Sequence, residues 1–382
     1  MKITYGYSIS TVEERAALDI LKSGRFFGNS QEENLEKEYC SHFGRKYAIA
    51  VSSGTAALHC ALLACHIGTG DEVIAPPNTD WAILYSILYT GAKPVFCDVE
   101  YETMNLDPSK IEAKMTSKTK AIIAVSTAGH PVDFDPILDA ARRHDVTVIN
   151  DLAQALGSKY KGRYCDTLGD MSVCSFGRYK HITSAGHVGI ISTDNEELAE
   201  RVHTYSHQGE GRRHEKDPIE TYVNPSYPFF TEYGYRYGSS ELHCAIARVQ
   251  LRKFISGSLN PERRRRNAVY YTKLLNDSLP RIVTPIEKDW AYHTYLRYII
   301  QTTNRNDLFR FLMRKGIRVF IHYAVPLHLF DIVTRNWGSY QGMFPVSERL
   351  SKEVLTLPSW ASLTRKQVEY VVGCVEEFYK FN

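Results

Sequence analysis

The segment DMSVCSFGRYKHITSAGHVGIIST, residues 170–193, holds the feature from which the fold can be worked out. Two short apolar runs, 171–176 and 188–193, have the composition of strands buried on both faces. The loop between them carries Lys180 beside His181, just beyond the first strand. An amine with cationic or apolar neighbours loses its proton more easily, so this position suits a lysine that bonds to a cofactor. Lysine is a common residue, and this position alone does not establish such a role.

Similar apolar runs recur through the first half of the chain and alternate with helical patterns. The predicted strands are residues 46–52, 71–76, 93–99, 120–126, 146–151, 171–176 and 188–193, and helical segments such as 55–67, 81–91 and 136–145 lie between them. This alternation predicts an α/β fold around a mostly parallel sheet of seven strands.

The second half of the chain has a different pattern. A long helix is predicted from 239–254 towards 261–277, and its four arginines, 263–266, either form a solvated face or bind phosphate. A strand, a helix and the apolar run 317–323 follow, which predicts a smaller α+β unit. We therefore expect a large domain over 1–250 and a small C-terminal domain over 251–382.

Composition excludes several classes of protein. A net charge of +3 over 382 residues is too small to indicate nucleic-acid binding. The eight cysteines form no CxxC pair, so we expect reduced thiols, no metal site and a cytoplasmic location. The N-terminus lacks the apolar core of a signal peptide, and no apolar run approaches the ~18 residues that span a bilayer.

Two features at the predicted carboxyl edge of the sheet suggest a ligand, because open α/β sheets bind ligands there. Gly54 and Thr55 open a helix directly after strand 46–52, an arrangement that suits phosphate or a simple capped turn. Asp151 ends an apolar strand, where a carboxylate needs a partner such as a pyridinium nitrogen, or caps a helix. Gln154 follows three residues later, placed to pack against a ring.

Two further features complete the set. Ser175 closes a strand five residues before Lys180, and its hydroxyl could hold phosphate. Trp81 follows strand 71–76 and either stacks on a planar cofactor or fills the core. A phosphate cradle, a carboxylate, a lysine and a stacking ring are together the parts that bind pyridoxal 5′-phosphate.

Longer motifs resemble one known family over nearly the whole chain. They include DEVIAPPNTDWAILYSILYTGAKPVFCDVE (71–100), NDLAQALGSKYKGRYCDTLGD (150–170), SFGRYKHIT (175–183), GYRYGSSELHCAIARVQL (234–251) and IHYAVPLH (321–328). In this order they resemble the DegT/StrS-type sugar aminotransferases, a branch of the fold-type I pyridoxal phosphate enzymes.

The resemblance implies a role for each matching residue. Lys180 would bond to the cofactor, Asp151 would pair with the pyridine nitrogen, Gln154 would pack on the ring, and Gly54, Thr55 and Ser175 would bind phosphate. It also implies a homodimer with shared active sites, in which Arg236 of GYRYGSSE meets the partner's cofactor phosphate or else turns outward.

Four positions depart from the family pattern near the expected pocket. They are His187, near the usual glutamate, Arg236 at an asparagine position, Asp80 at an aromatic position and Ser126 at a histidine position. These departures leave the cofactor assignment intact and concern the sugar substrate and the exact reaction.

The expected reaction moves an amino group from an amino acid, L-glutamate, to a keto sugar that is most simply nucleotide-linked. The polar segment 208–232 offers Arg212 and Arg213 for a diphosphate, unless it is only a solvated surface loop. Two alternatives remain open: a pyridoxal-phosphate-dependent keto-sugar dehydratase, and a non-catalytic regulatory protein on the same fold.

Overall fold

The computed structural model describes Ile3 and residues 9–26, 30–210 and 232–381. A seven-stranded sheet in the order β1-β9-β8-β5-β4-β2-β3 lies at its centre. The strands are β1 (Tyr47–Val51), β2 (Glu72–Ala75), β3 (Lys93–Phe96), β4 (Thr119–Val125), β5 (Thr147–Asp151), β6 (Lys159–Tyr160), β7 (Arg163–Tyr164), β8 (Met171–Ser175), β9 (Gly189–Thr193), β10 (Ala291–Tyr292), β11 (Tyr298–Gln301) and β12 (Val354–Leu357). All seven predicted strands are present, and only β9 runs antiparallel to its neighbours in this sheet.

Helices cover both faces of the sheet. The α-helices of the described chain are α1 (Thr11–Ser23), α2 (Ser30–Phe43), α3 (Gly54–Ala64), α4 (Trp81–Thr90), α5 (Phe134–His144), α6 (Glu196–Ser206), α7 (Glu241–Ile255), α8 (Glu262–Ser278), α9 (Arg305–Arg314), α10 (Asp331–Trp337), α11 (Pro345–Glu353) and α12 (Arg365–Phe381). Alternate residues of β4 enter two cores: Ile122 packs with α2, α5 and α7, whereas Ile123 packs with α3, α4 and α6. A strand buried on both faces therefore has no polar alternation, as its sequence indicated.

A third core lies in the C-terminal part of the chain. Tyr271 of α8, Tyr298 of β11 and Leu355 of β12 pack there against α9 and α12, and β11 pairs with β12 in an antiparallel ladder. This separate core is consistent with a small second domain, although α7 crosses the expected boundary at 250/251, and the division stays a prediction.

One prediction for the second half was wrong in detail. The expected long helix is divided into α7 and α8, which the residues before Pro261 separate. Residues 317–323 form isolated bridges, from Ile317 to Ile3 and from Phe320 to Thr356, and no continuous strand. Val319 and Ile317 are nevertheless buried, so the apolar run reflects packing without a ladder.

Candidate active site

The residues expected to bind phosphate lie together at the carboxyl edge of the sheet. A Cβ atom built on Gly54 would stand 2.9 Å from the Cβ of Ser175, and one on Gly189 only 2.2 Å from the carbonyl oxygen of Ser53. Glycine at these two positions lets β8, β9 and the start of α3 approach one another. Ser53 caps α3 by accepting a hydrogen bond from Ala56 N at 3.1 Å. The backbone amides of Gly54 and Thr55 lie at the N-terminus of this helix, a position that favours an anion. We call this junction between β1 and α3 the phosphate turn.

Asp151 stands at the end of β5 as a buried carboxylate. Its Oδ1 accepts a hydrogen bond from Ala153 N at 2.8 Å. The pKa of Asp151 is raised to about 6, chiefly by burial and to a smaller extent by the charge of Asp80, while the Ala153 amide and Lys180 oppose the change. The protein itself therefore stabilises this negative charge poorly, and a protonated ring nitrogen would supply the missing partner.

Lys180 lies in the loop between β8 and β9 and is half-buried. Its pKa is lowered, first by burial and then by the positive charge of Arg297, while Asp151 and Asp80 act in the opposite direction. A lower pKa increases the fraction of neutral amine, which is the form that attacks a carbonyl. The expected pair of a lysine and an acid is therefore present in one electrostatic environment.

Gln154 belongs to a buried network that sequence reasoning missed in part. Its Oε1 accepts hydrogen bonds from Ala128 N at 3.0 Å and from Arg297 Nη1 at 2.5 Å. Its Nε2 donates to Tyr323 Oη at 3.3 Å, and Arg297 Nη1 reaches the same hydroxyl at 3.3 Å. Tyr323 lies in the IHYAVPLH motif, whereas Arg297 adjoins an apolar strand and gave no signal of its own.

A pocket with aromatic walls opens beside Lys180. Its lining includes Tyr179, Arg297, Phe320, His322 and Trp360. Burial keeps the pKa of His322 well below its usual value, Arg297 and Lys180 lower it further, and a ring nitrogen lies 2.9 Å from Thr356 Oγ1. This imidazole is neutral at physiological pH, so the pocket offers it as a hydrogen-bonding group without a charge.

Three buried polar atoms at this edge have no hydrogen-bond partner among the described residues. They are Oδ1 of Asn78, Oγ1 of Thr79 and Oγ of Ser126, which follow the neighbouring strands β2 and β4. Buried polar atoms are normally satisfied, and unpaired ones next to a site fit a ligand with polar substituents. With the Gly54 turn and the Asp151 charge, they fit a phosphorylated pyridine cofactor.

The remaining predicted residues are placed less centrally. His187 is exposed, and its Nδ1 would stand 3.0 Å from a Cβ on Gly177, close to the phosphate turn. Trp81 is 64% exposed at the start of α4, so its stacking role stays a prediction. Arg236 is exposed, and its backbone forms an isolated antiparallel β-bridge with His207. Arg212 and Arg213 lie outside the described residues.

The part of the chain that the structure describes holds no group of three His, Cys, Asp or Glu side chains arranged for a metal ion. Within the same residues, no helix is both long and apolar enough to cross a bilayer.

The α/β architecture around a mostly parallel seven-stranded sheet matches that of the fold-type I pyridoxal phosphate aminotransferases. The sequence profile of the DegT/DnrJ/EryC1/StrS aminotransferase family matches residues 8–376, and the chain belongs to this family. The expected fold and family are thereby confirmed.

Two curated relatives and one solved structure illustrate the similarity. The chain is 36% identical to a pleiotropic regulatory protein of Geobacillus stearothermophilus over 363 residues, 95% of this chain and 93% of that protein. It is 36% identical to GDP-perosamine synthase of Escherichia coli O157:H7 over 355 residues, 91% and 90% of the two chains. The crystal structure of NtdA from Bacillus subtilis with bound cofactor PMP has a TM-score of 0.85 at 27% identity and covers 97% of this chain and 83% of that one.

Proposed function

We propose that this enzyme transfers an amino group from L-glutamate to a nucleotide-linked keto sugar with pyridoxal 5′-phosphate. The observation that carries the proposal is the pairing of Lys180, whose pKa is lowered, with the buried Asp151 at the carboxyl edge of the sheet. The family and the GDP-perosamine synthase relative support a sugar as the acceptor.

Each residue of the site has a defined task in this proposal. The amides of Gly54 and Thr55 and the hydroxyl of Ser175 hold the phosphate, while Asp151 keeps the ring nitrogen protonated. The cofactor, when bound, supplies the electron sink. Lys180 would anchor it, and the Lys180 amine, when released, would carry a proton to or from the substrate carbon. Gln154, fixed by Arg297 and Tyr323, supports one face of the ring.

The aromatic pocket beside Lys180 has a volume of about 40 Å³, which is too small for a whole sugar, and it is proposed to form one wall of the sugar site. Tyr179 and Trp360 provide apolar faces for a sugar ring, and the neutral His322 can exchange hydrogen bonds with its hydroxyl groups. His187 lies near the phosphate turn and is proposed to contact the substrate there. Arg212 and Arg213 are proposed to hold the diphosphate of the sugar nucleotide.

A homodimer with shared active sites is part of the proposal. Trp81, Tyr85 and Tyr89 follow one another at four-residue intervals on α4 and are 64%, 37% and 56% exposed. They form an aromatic stripe, the kind of surface that a second subunit covers. Arg236 would then reach the cofactor phosphate of the partner.

The test separates the two half-reactions. Purified enzyme is first mixed with L-glutamate. The enzyme with its aminated cofactor is then mixed with nucleotide-linked keto sugars. Absorbance follows each half-reaction, and mass spectrometry identifies the product. We expect one nitrogen gained per sugar. Loss of a sugar hydroxyl without nitrogen uptake would identify a dehydratase, and absence of both half-reactions with every donor and sugar would favour a non-catalytic protein. Replacing Arg212 and Arg213 with alanine should slow only the sugar half-reaction.

A further inference from the structure

A groove of about 650 Å³ lies on the C-terminal part of the molecule, between α8 and the segment 361–365. Four exposed cationic side chains line it: Arg263, Arg266, Lys273 and Arg365. We call it the basic groove. Its volume falls within the range of sites that hold small organic ligands, roughly 300–1,000 Å³.

The four arginines 263–266 divide into two structural pairs. Arg264 is buried and donates hydrogen bonds to the carbonyl oxygens of Leu296 and Ser359, at 3.2 and 2.6 Å. Arg265 is neutralised by Glu287, at 2.5 Å. Arg263 and Arg266 are exposed and line the basic groove, which Arg265 also lines. The run is therefore neither a uniformly solvated face nor a single phosphate site, which were the two readings open from sequence.

The charge of the basic groove is left without compensation. None of its four cations pairs with a carboxylate of the described residues, and Glu262 at its rim is engaged by Tyr292 and Arg265. Two exposed arginines outside the groove are ion-paired on their own helices, Arg310 with Asp307 and Arg335 with Asp331. Four unpaired cations in one concave surface form a site for a multiply charged anion.

An aromatic ring accompanies these charges. Tyr270 lines the basic groove, its hydroxyl donates to Glu369 at 2.6 Å, and the guanidinium of Arg365 lies 5.2 Å from the ring centroid. Asn267 donates to the carbonyl oxygen of Leu363 at 3.0 Å, which ties α8 to the opposite wall. A fixed ring beside arginines can stack a planar base while the arginines bind its phosphates.

We propose that the basic groove binds a nucleoside diphosphate, either free or as the nucleotide part of the sugar substrate. The groove adjoins the aromatic pocket, because Ser359 and Trp360 line that pocket and residues 361–363 line the groove. Arg264 joins α8 to Ser359, so occupation of the groove can act on the pocket wall. The binding itself does not depend on transamination.

Calorimetry on the cofactor-loaded enzyme tests the proposal without turnover. UDP, GDP and dTDP are titrated into the parent, into Arg263→Ala/Arg266→Ala, and into the control Arg310→Ala/Arg335→Ala, which removes equal charge from outside the groove. We expect the dissociation constant of the best nucleotide to rise at least tenfold in the groove variant and to stay unchanged in the control. Equal affinity in parent and groove variant would overturn the proposal, even if transamination is observed.

A second measurement distinguishes the two sources of the ligand. If the groove holds the substrate's nucleotide, the groove variant raises KM for the sugar nucleotide with little change in kcat, and free nucleotide competes with this substrate. If it holds a separate nucleotide, binding persists at saturating substrate and KM does not move. Either result supports the basic groove as a nucleotide site.

Discussion

Asp151 shows most directly how one side chain links the fold to the proposed chemistry. Its pKa, raised from 3.8 to about 6, means that the folded protein holds the proton more tightly than the unfolded chain does. The stability from this group is therefore fully present below about pH 4 and is lost as the pH rises through about 6. With a pKa shift of this size, ionisation of Asp151 at neutral pH lowers the free energy of unfolding by about 3 kcal/mol.

Asp151→Asn should therefore stabilise the cofactor-free protein and inactivate the enzyme. The amide keeps an acceptor for Ala153 N and carries no charge, so its advantage should grow from about pH 4 to 6, reach about 3 kcal/mol and then stay level. Urea unfolding at several pH values across this range measures the difference in stability. Asp139→Asn, at an exposed position of α5, is the control. The activation barrier should rise by several kcal/mol, which lowers kcat on the order of 10³-fold. Parallel stability curves for parent and variant would contradict this electrostatic account.

Lys180 supplies a second prediction at this scale. Borohydride reduction of the cofactor-loaded enzyme should fix the cofactor to one peptide, which contains Lys180, and Lys180→Ala should abolish the labelling. Lys159→Ala, a change at a residue outside the site, serves as the control. Labelling of another peptide in the parent would remove Lys180 from its proposed role.

The sequence identified residues that end strands and missed those that reach the site from elsewhere. Asp151, Ser175 and Lys180 follow apolar runs, so their position at one edge follows from parallel strand topology. Arg297 contacts Gln154 from 143 positions away in the chain, and no local pattern encodes that contact. The stacking role of Trp81 stays a prediction, and its neighbour Asp80 is a group whose charge acts on Asp151.

The strands of the large sheet could be predicted because burial on both faces leaves a continuous apolar run, and the helices lie between these runs. The boundaries agree within a few residues, and β9 lies antiparallel because the Lys180 loop leads β8 directly back along the sheet. The break between α7 and α8 was missed, since both flanking segments have helical periodicity. The apolar run 317–323 forms only isolated bridges, because apolar composition reflects burial and does not show whether a pairing partner exists.

Gly189→Ala should separate the phosphate turn from the sheet. The added Cβ would stand 2.2 Å from the Ser53 carbonyl, so β9 or the start of α3 must shift. We expect a loss of about 1–3 kcal/mol in stability and weaker cofactor binding, both measured on purified protein. Gly373→Ala on α12 is the matched control, because its Cβ meets open space and should stabilise that helix by about 0.5–1 kcal/mol. Equal effects at both positions would show that the close approach is unimportant.

At the scale of the whole molecule, the proposed homodimer concerns two exposed features of the chain. Arg236 is exposed on the segment after residue 232, and the aromatic stripe of α4 is exposed beside the carboxyl edge of β2. A second copy that covers the stripe accounts for both observations. Replacement of Tyr89 with glutamate should then place a charge in the interface and yield monomers, which sedimentation velocity detects; the same change at the exposed Val269 on α8 is the control.

Complementation between two inactive variants tests whether Arg236 serves the partner's site. Lys180→Ala lacks the lysine and keeps Arg236, whereas Arg236→Ala keeps Lys180 and lacks the arginine. After random exchange of subunits, half of the dimers are mixed, and each mixed dimer holds one complete site if Arg236 acts across the interface. Activity should then rise to about a quarter of that of the parent. If Arg236 acts within its own subunit, the mixed dimer has no complete site, and mixing restores nothing beyond the residual activity of the separate variants.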